Sequence, residues 1–166
     1  MKLSIIVCVS NERKTIKKIL KKINQLRLVS PWKKEIIIVD NCSTDGTREI
    51  LSKIRRNDTR IIFQKINIGK GHSVKTALKF CTGQYVIPQD SDLEYDPSDI
   101  RKILNFALRN KHDFVVGSRV RNGKRFHKYW INEIGANCLT IVFNSLFKTN
   151  FSDVALCYKL MNLKKL

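Results

Sequence analysis

With 166 residues, of which 43% are hydrophobic, the chain is long enough for one core and too short for two ordinary domains, so we expect a single domain over residues 1–166. The formal net charge of +18 would attract any polyanion, but no aromatic residues interleave with the lysines of residues 14–22, and nucleic-acid binding is therefore not expected. A bias toward Lys, Ile and Asn, as an AT-rich genome produces, accounts for the charge equally well.

Short β-branched runs alternate with segments of helical periodicity, a pattern typical of βαβ units. The predicted strands are residues 3–9, 35–40, 60–66, 84–90 and 113–119, and the predicted helices are residues 12–27, 47–56, the segment from Gly71 to Phe80, and 97–110. Strands two to five are nearly continuous apolar runs, as expected when helices cover both faces of a parallel sheet. The sequence predicts a doubly wound, mostly parallel α/β fold.

The part of the chain after Arg119 differs from the first part in composition and periodicity. Residues 119–130 are rich in Lys and Arg and are predicted to form a connection rather than a strand. Residues 129–147 have apolar side chains at helical spacing, which predicts an amphipathic helix that lies on an anionic membrane surface or packs on the sheet. Residues 154–161 resemble a strand with nothing after it to pack beside it. We therefore expect open apolar surface near residues 151–163, covered by a second copy or a partner subunit.

The cysteines and the apolar runs bear on where the protein resides. Five scattered cysteines without C-x-x-C spacing indicate reduced thiols. Residues 3–9 are too short and wrongly flanked for a signal peptide, and no uninterrupted run of about 18 apolar residues is present. We expect a cytoplasmic protein, soluble or peripheral on the cytoplasmic face of the membrane.

The segment Asp90-Ser91-Asp92 follows the fourth predicted strand directly. Two carboxylates at such a spacing provide the oxygen ligands that Mg²⁺ and Mn²⁺ prefer, and Glu94 adds further negative charge in an otherwise basic protein. A surface turn with helix-capping Asp residues is the alternative. The charge surplus favours a metal site.

Two further polar segments follow strands at the same predicted edge of the sheet. Asp40 ends the second strand and is placed to accept hydrogen bonds from a ligand, while Thr44 or Asp45 is expected to cap the next helix. In the loop from Asn67 to Gly71, Lys70 is placed either to approach a phosphate or simply to lead through a left-handed glycine turn into a helix. Both alternatives stay open at this point.

Five motifs occur in a fixed order: Asn11-Glu12 after the first strand, VDNCSTDGT at 39–47, NIGKG at 67–71, QDSDLEYDP at 89–97 and GSR at 117–119. This set resembles the family 2 glycosyltransferases of the GT-A fold, and within them the dolichyl-phosphate or polyprenyl-phosphate mannosyl- and glucosyltransferases. The resemblance extends to Cys157-Tyr158-Lys159 and so covers nearly the whole chain.

The resemblance implies metal-dependent, inverting transfer of a hexose from a GDP- or UDP-sugar to an acceptor, expected to be a polyprenyl or dolichyl phosphate, in cell-envelope glycan synthesis. The nucleotide would contact Val9, Asn11, Glu12, Asp40, Asn67, Lys70, Gln89 and Asp90. The metal ion would be held by Asp90, Asp92 and Glu94, Asp92 and Arg119 would be catalytic, and Arg119, Lys124 and Arg125 would hold the acceptor phosphate. Residues 1–119 would form the donor part, and residues 120–166 an acceptor part shorter than in relatives.

Two other interpretations compete with this one. A haloacid-dehalogenase-like phosphatase would use Asp90 and Asp92 as nucleophile and acid, but its motif usually follows the first strand and carries Thr or Val where Glu94 stands. A catalytically silent module that binds a nucleotide sugar or another polyanion is favoured by the short acceptor part.

Overall fold

The computed structural model describes residues 1–117, 120–121, 124–125, 130–154 and 156–166, with the backbone alone at 120–121, 124–125 and 130–133. The strands are β1 (Lys2–Val9), β2 (Lys33–Asp40), β3 (Thr59–Phe63), β4 (Tyr85–Asp90), β5 (Phe114–Val116), β6 (Val120–Arg121), β7 (Lys124–Arg125) and β8 (Lys159–Asn162). The helices are α1 (Ile16–Gln25), α2 (Thr47–Ser52), α3 (Lys70–Leu78), α4 (Ser98–Asn110) and α5 (Trp130–Phe147), and a 3₁₀ turn follows at Leu163–Lys165.

Six strands form one sheet in the order β3-β2-β1-β4-β8-β5. The pairs β1–β2, β1–β4 and β2–β3 are parallel, and β8 runs antiparallel to both β4 and β5. The predicted mostly parallel, doubly wound α/β fold is confirmed. The register aligns Val9 with Asp40 and Cys8 with Asp90, so the carboxyl ends of β1, β2 and β4 lie at one edge.

Both faces of the sheet are covered, because alternate residues of each strand point to opposite sides. Ile5 and Ile38 belong to the larger core beneath α1, α2 and α4, whereas Ile6 and Ile37 belong to the smaller core beneath α3. Helix α1 buries Ile16, Ile19, Leu20 and Ile23, and each such side chain contributes roughly 1.5–3 kcal/mol on burial. The two cores fix the position of the strands, and the polar loops follow the carboxyl ends of these strands.

The C-terminal strand contradicts the sequence-based expectation of an unpartnered segment. Strand β8 does not lie open; it is inserted between β4 and β5 and pairs with both. Leu156, Tyr158 and Leu160 are buried, so the expected open apolar surface over residues 151–163 is wrong for these positions. The pattern of 154–161 indicated a strand, but its neighbours come from far earlier in the chain and local sequence does not identify them.

The basic segment after β5 also differs from its prediction. Val120–Arg121 and Lys124–Arg125 form a two-stranded antiparallel hairpin instead of a strand-free connection. Several other boundaries shift by a few residues, for example α2, which ends at Ser52 rather than at residue 56. The predicted strand over 113–119 is observed at Phe114–Val116, and its last two residues lie outside the described part.

Helix α5 presents most of its described apolar residues outward. Ile134, Ile141 and Leu146 are 59%, 69% and 72% exposed, and Leu139, Val142 and Phe147 are exposed as well. The inward side is mixed: Thr140 accepts a hydrogen bond from the Val154 N–H at 3.2 Å, Asn144 exchanges two 2.9 Å hydrogen bonds with the backbone of Phe151, and Phe143 is half-buried. Phe143 lines a cavity with Phe114 and Val116 of β5, but the exposed residues of the face do not pack on the sheet, so that expectation is wrong for most of the face. Among the described residues, no helix has the length and apolar character to cross a membrane.

Candidate functional site

A cleft of about 230 Å³ opens where the carboxyl ends of β1, β2 and β4 meet. It is lined by Cys8, Val9, Ser10, Glu12, Asn41, Lys70, Ser73, Asp90, Ser91 and Asp92. Ligands of open α/β sheets bind at this edge, because loops from several parallel strands converge there. Five residues that the sequence assigned to ligand binding therefore line one cavity: Val9, Glu12, Lys70, Asp90 and Asp92.

Asp40 lies buried beside this cleft at the end of β2. Its Oδ2 accepts a hydrogen bond from Arg48 Nε at 2.9 Å and a longer one from the Ser43 N–H at 3.3 Å. Its Oδ1 is buried without a hydrogen-bond partner in the described part of the chain. A buried acceptor left unpaired costs about 1–3 kcal/mol, so a donor from a bound molecule would be stabilised here.

The loop between β3 and α3 is fixed by two asparagines. Asn41 Nδ2 donates to Asn67 Oδ1 at 2.6 Å, and the Asn41 and Asn67 side-chain oxygens accept from the N–H groups of Ile68 and Gly69 at 3.1 Å each. Gly69 has φ +92° and ψ 167°, which lies outside the left-handed helical region and strongly favours glycine. The loop is thus held by side chains and delivers Lys70 into the cleft, while Asn67 itself positions the loop.

Lys70 and Asp90 form an ion pair within the cleft, between Nζ and Oδ1. Burial alone would lower the pKa of the Lys70 ammonium, but its contacts, including the Asp90 carboxylate, outweigh burial and raise that pKa. Lys70 therefore stays cationic at neutral pH. A cation on a mobile side chain next to a carboxylate is suited to move onto an anionic ligand.

Asp92 lies exposed at the mouth of the cleft. Ser91 anchors the loop by donating to the Cys8 carbonyl oxygen at 3.0 Å, and Asp92 Oδ1 accepts from the Glu94 N–H at 3.0 Å. Glu94 is exposed and does not line the cleft. Among the described residues, no three His, Cys, Asp or Glu side chains are grouped to hold a metal ion by themselves. A cation at Asp90 and Asp92 would need further oxygen ligands from a bound molecule or water.

The acidic loop rests on two tyrosines that lie in the sequence motifs but to which the sequence assigned no role. The Tyr158 hydroxyl lies 2.6 Å from Gln89 Oε1 and 2.8 Å from the Asp96 carbonyl oxygen, and the Cys157 N–H donates to the Tyr95 hydroxyl at 3.1 Å. Gln89 is buried, and its amide donates to the carbonyl oxygens of Asp90 and Tyr95. Gln89 thus lies beneath the loop as a support. No local sequence signal links residue 158 to this loop.

The loop after β1 is tied to the loop after β2. The Asn11 N–H donates to Ser43 Oγ and Asn11 Oδ1 accepts from the Thr44 N–H, both at 2.9 Å. Asn11 thus positions the two loops, and its φ of 55° suits the tolerance of asparagine for left-handed backbone. The expected cap is present in part, because Asp45 Oδ1 accepts from the first N–H of α2 at 3.0 Å.

The thiol on the cleft wall is not a nucleophile at neutral pH. Burial raises the pKa of Cys8 to about 12, and burial likewise raises the pKa of Cys157 above its ordinary value. Both thiols therefore stay protonated, and they contribute packing rather than charge.

The residues expected to hold an acceptor phosphate are not located by the structure. Arg119 lies outside the described residues, and Lys124 and Arg125 are described through the backbone of β7 alone. Their roles stay predictions.

The architecture, with its polar cleft at the strand ends and an Asp-x-Asp loop at the cleft mouth, defines an α/β domain of the GT-A class. The chain belongs to glycosyl transferase family 2, because the model of that family matches residues 4–166. The resemblance seen in the sequence is thereby confirmed.

Two curated relatives match shorter stretches. The putative teichuronic acid biosynthesis glycosyltransferase TuaG of Bacillus subtilis is 38% identical over 82 residues, 48% of this chain and 32% of that protein. The dolichol-phosphate mannosyltransferase of Mycosarcoma maydis is 34% identical over 98 residues, 58% of this chain and 33% of that protein. The chain spans about a third of the length of the curated relatives it matches.

Two solved structures show the shared fold. S. aureus TarS 1–349 in complex with UDP-GlcNAc matches with a TM-score of 0.68 at 22% identity, over 98% of this chain and 46% of that chain. The mannosyltransferase PcManGT from Pyrobaculum calidifontis, in complex with GDP-Man and Mn²⁺, matches with a TM-score of 0.54 at 25% identity, over 63% of this chain and 32% of that chain.

Proposed function

We propose that this chain transfers a hexose from a GDP- or UDP-sugar to a polyprenyl or dolichyl phosphate, with inversion at the anomeric carbon. The observation that carries the proposal is the cleft in which Lys70, Asp90 and Asp92 meet beside the unpaired oxygen of Asp40. Family membership supports the reaction class, and the dolichol-phosphate mannosyltransferase among the relatives supports a lipid-phosphate acceptor.

The nucleoside would be bound by the loops after β1 and β2. Asp40 offers a buried carboxylate oxygen without a donor, which suits an N–H of the base or a hydroxyl of the ribose. Glu12 lines the same cleft and is a second acceptor for ribose hydroxyls. Asn11 and Asn67 would act indirectly, by holding the loops that shape this pocket.

The diphosphate would lie between Lys70 and the Asp-x-Asp loop. When a donor binds, the Lys70 ammonium would exchange the Asp90 carboxylate for a phosphate oxygen, which keeps the charge paired. This exchange would leave Asp90 free to take part in cation binding.

Asp90 and Asp92 fit a divalent cation, because Mg²⁺ and Mn²⁺ are commonly bound by one or two carboxylates together with substrate phosphates. Mg²⁺ or Mn²⁺ bound there would neutralise the charge that develops on the leaving diphosphate. The PcManGT complex with GDP-Man and Mn²⁺ supports this assignment. Glu94, two residues after Asp92, would act at longer range, since it does not line the cleft.

The acceptor phosphate would be held by Arg119, Lys124 and Arg125. A phosphate oxygen of such an acceptor is already an anion near neutral pH, so attack on the anomeric carbon needs no general base. The basic hairpin β6–β7 precedes the outward apolar face of α5 in the chain, and this combination supports contact with an anionic membrane surface that contains the lipid acceptor.

A transfer assay tests the proposal. The chain is incubated with radiolabelled GDP-mannose, UDP-glucose or UDP-GlcNAc, undecaprenyl phosphate and Mn²⁺, and labelled lipid is measured. Transfer from at least one donor that stops with EDTA is expected. If a donor binds but no label reaches the lipid or leaves the nucleotide, the chain is a binding module and the proposed activity is wrong.

A further inference from the structure

A second cavity lies away from the cleft. It measures about 530 Å³ and runs between α1 and α2, over the face of β2. We call it the α1–α2 groove. None of the residues that line it also lines the cleft at the strand ends.

The floor of the α1–α2 groove is apolar. Ile36 and Ile38 of β2 and Leu20 of α1 lie at its base and are already buried, and Ile50 of α2 and Ile54 after it form one wall. Ile50 and Ile54 are only half-buried, so a bound apolar group would remove further hydrocarbon surface from water. The sequence pattern does not show this opening, because all of these residues occupy ordinary core positions of their elements.

The rim of the groove is cationic. Lys17 and Lys21 stand on the α1 side and Lys53 on the α2 side, and none of these three forms an ion pair within the described part of the chain. Arg56, also at the rim, is already paired with Asp58 at 2.9 Å. No Asp or Glu is among the described residues that line the groove, so the local field favours an anion.

Asn24 adds an unpaired polar atom to the same cavity. Its side-chain oxygen is buried and has no hydrogen-bond partner in the described part of the chain. This oxygen accepts hydrogen bonds only, so a hydroxyl or N–H group of a bound molecule would pair with it, whereas a carboxylate head group would not. Volume and cationic charge thus coincide in one groove.

We propose that the α1–α2 groove binds a single-chain anionic amphiphile, with the hydrocarbon chain against Ile50 and Ile54 and the anionic head group among Lys17, Lys21 and Lys53. The cavity volume falls within the roughly 300–1,000 Å³ of small-molecule sites. A volume in this range suits a ligand of lipid size.

Dodecanoate below its micellar concentration is the probe, and the δ1-methyl groups of isoleucine are the reporters. Titration should shift the methyl signals of Ile50 and Ile54 in saturable fashion and leave those of Ile134 and Ile141 on α5 unchanged. Dodecanol, which has the same chain without the charge, should bind at least about tenfold more weakly.

A charge-matched pair of variants tests the rim. The triple variant Lys17→Glu, Lys21→Glu and Lys53→Glu should lose about tenfold or more in dodecanoate affinity. The control triple Lys14→Glu, Lys18→Glu and Lys79→Glu carries the same net charge, lies outside the groove and should bind as the unaltered chain does.

Three results would overturn the proposal: equal loss in both triple variants, shifts confined to α5, or binding of an acidic amphipathic peptide at Ile50 and Ile54 without binding of dodecanoate. Nucleotide binding in the cleft is a separate measurement, so failure of the groove proposal leaves the proposed transfer reaction untouched.

Discussion

Two regions of this molecule place their apolar residues in opposite ways. In the first region, β1 to α4 together with β8, apolar side chains face the core, and polar residues collect at the strand ends around the cleft. In α5, Thr140 and Asn144 face inward and make defined hydrogen bonds, while Ile141 and Leu146 face outward. The first region forms the sheet and its two cores, whereas α5 carries apolar side chains that the described part of the chain leaves exposed.

An apolar side chain therefore contributes differently to the free energy of unfolding in the two regions. Burial of a core side chain stabilises the fold, but an outward side chain of α5 gains that energy only when another apolar phase is present. The two regions should therefore respond differently to the same kind of substitution.

The largest expected effect on stability is that of Leu160→Ala in β8. Leu160 is fully buried in the larger core, which also contains Ile100 and Leu104 of α4. Its truncation should therefore cost about 2–5 kcal/mol of unfolding free energy. Urea denaturation measures it. Leu146→Ala on α5 is the matched control and should change stability by less than about 0.5 kcal/mol. Similar losses for both would remove the distinction between the two regions.

Asp92→Asn should leave the free energy of unfolding nearly unchanged and should weaken nucleotide binding strongly. The exposed side chain leaves the core intact, but loss of its charge should weaken Mn²⁺-dependent binding of UDP or GDP at least about tenfold, about 1.4 kcal/mol. Calorimetric titration with Mn²⁺ and with EDTA measures this. Asp99→Asn removes the same charge away from the cleft and should bind nucleotide normally. Equal affinity of Asp92→Asn and the unaltered chain would exclude Asp92 as a metal ligand.

A smaller effect on stability is expected from the Asp96 carboxylate of the first region, and it should depend on pH. Hydrogen bonds from Lys22 and from the Ser98 N–H lower the pKa of Asp96 to about 2. Because the folded pKa lies below the unfolded value of about 3.9, this stabilisation is present above about pH 4 and is lost as the pH falls toward 2.

Lys22→Met should therefore lower stability at pH 7 by only about 0.2–1 kcal/mol, since the pair is half exposed, and the difference should shrink near pH 2. Urea titrations at both pH values measure it, with Lys18→Met as the control, because Lys18 forms no ion pair within the described part of the chain. A deficit that persists unchanged at pH 2 would show that the pair is not its cause.

The smallest expected change in stability is that of Ile141→Glu with Leu146→Glu on α5. Both side chains already face water, so unfolding should shift by no more than about 0.5 kcal/mol. Flotation with anionic vesicles should nevertheless be lost, because the inserted apolar face is gone. Thr140→Val, on the inward side, serves as the control for vesicle binding. Unaltered flotation of the double variant would mean that this face does not contact lipid.

The sequence predicted those features that depend on local periodicity and on the polar residues that directly follow the strands. Five of the assigned residues, among them Lys70, Asp90 and Asp92, do line one cleft, because parallel strands bring their carboxyl ends together. The support of the acidic loop by Tyr158 was not predictable, since it depends on contact between residues far apart in sequence. Nor does helical spacing alone tell which side of α5 faces the core, because tertiary contacts decide it.

The insertion of β8 between β4 and β5 also sets an order of assembly. Tyr85 pairs with Asn162 and Phe114 with Met161, so among the described strands β5 joins the sheet through one that is made much later in synthesis. Such distant pairing carries a loop-closure cost and slows folding. Until residues 159–162 emerge from the ribosome, the free edge of β4 stays open to pairing with other chains, so the nascent protein passes through an aggregation-prone stage that the finished sheet no longer shows.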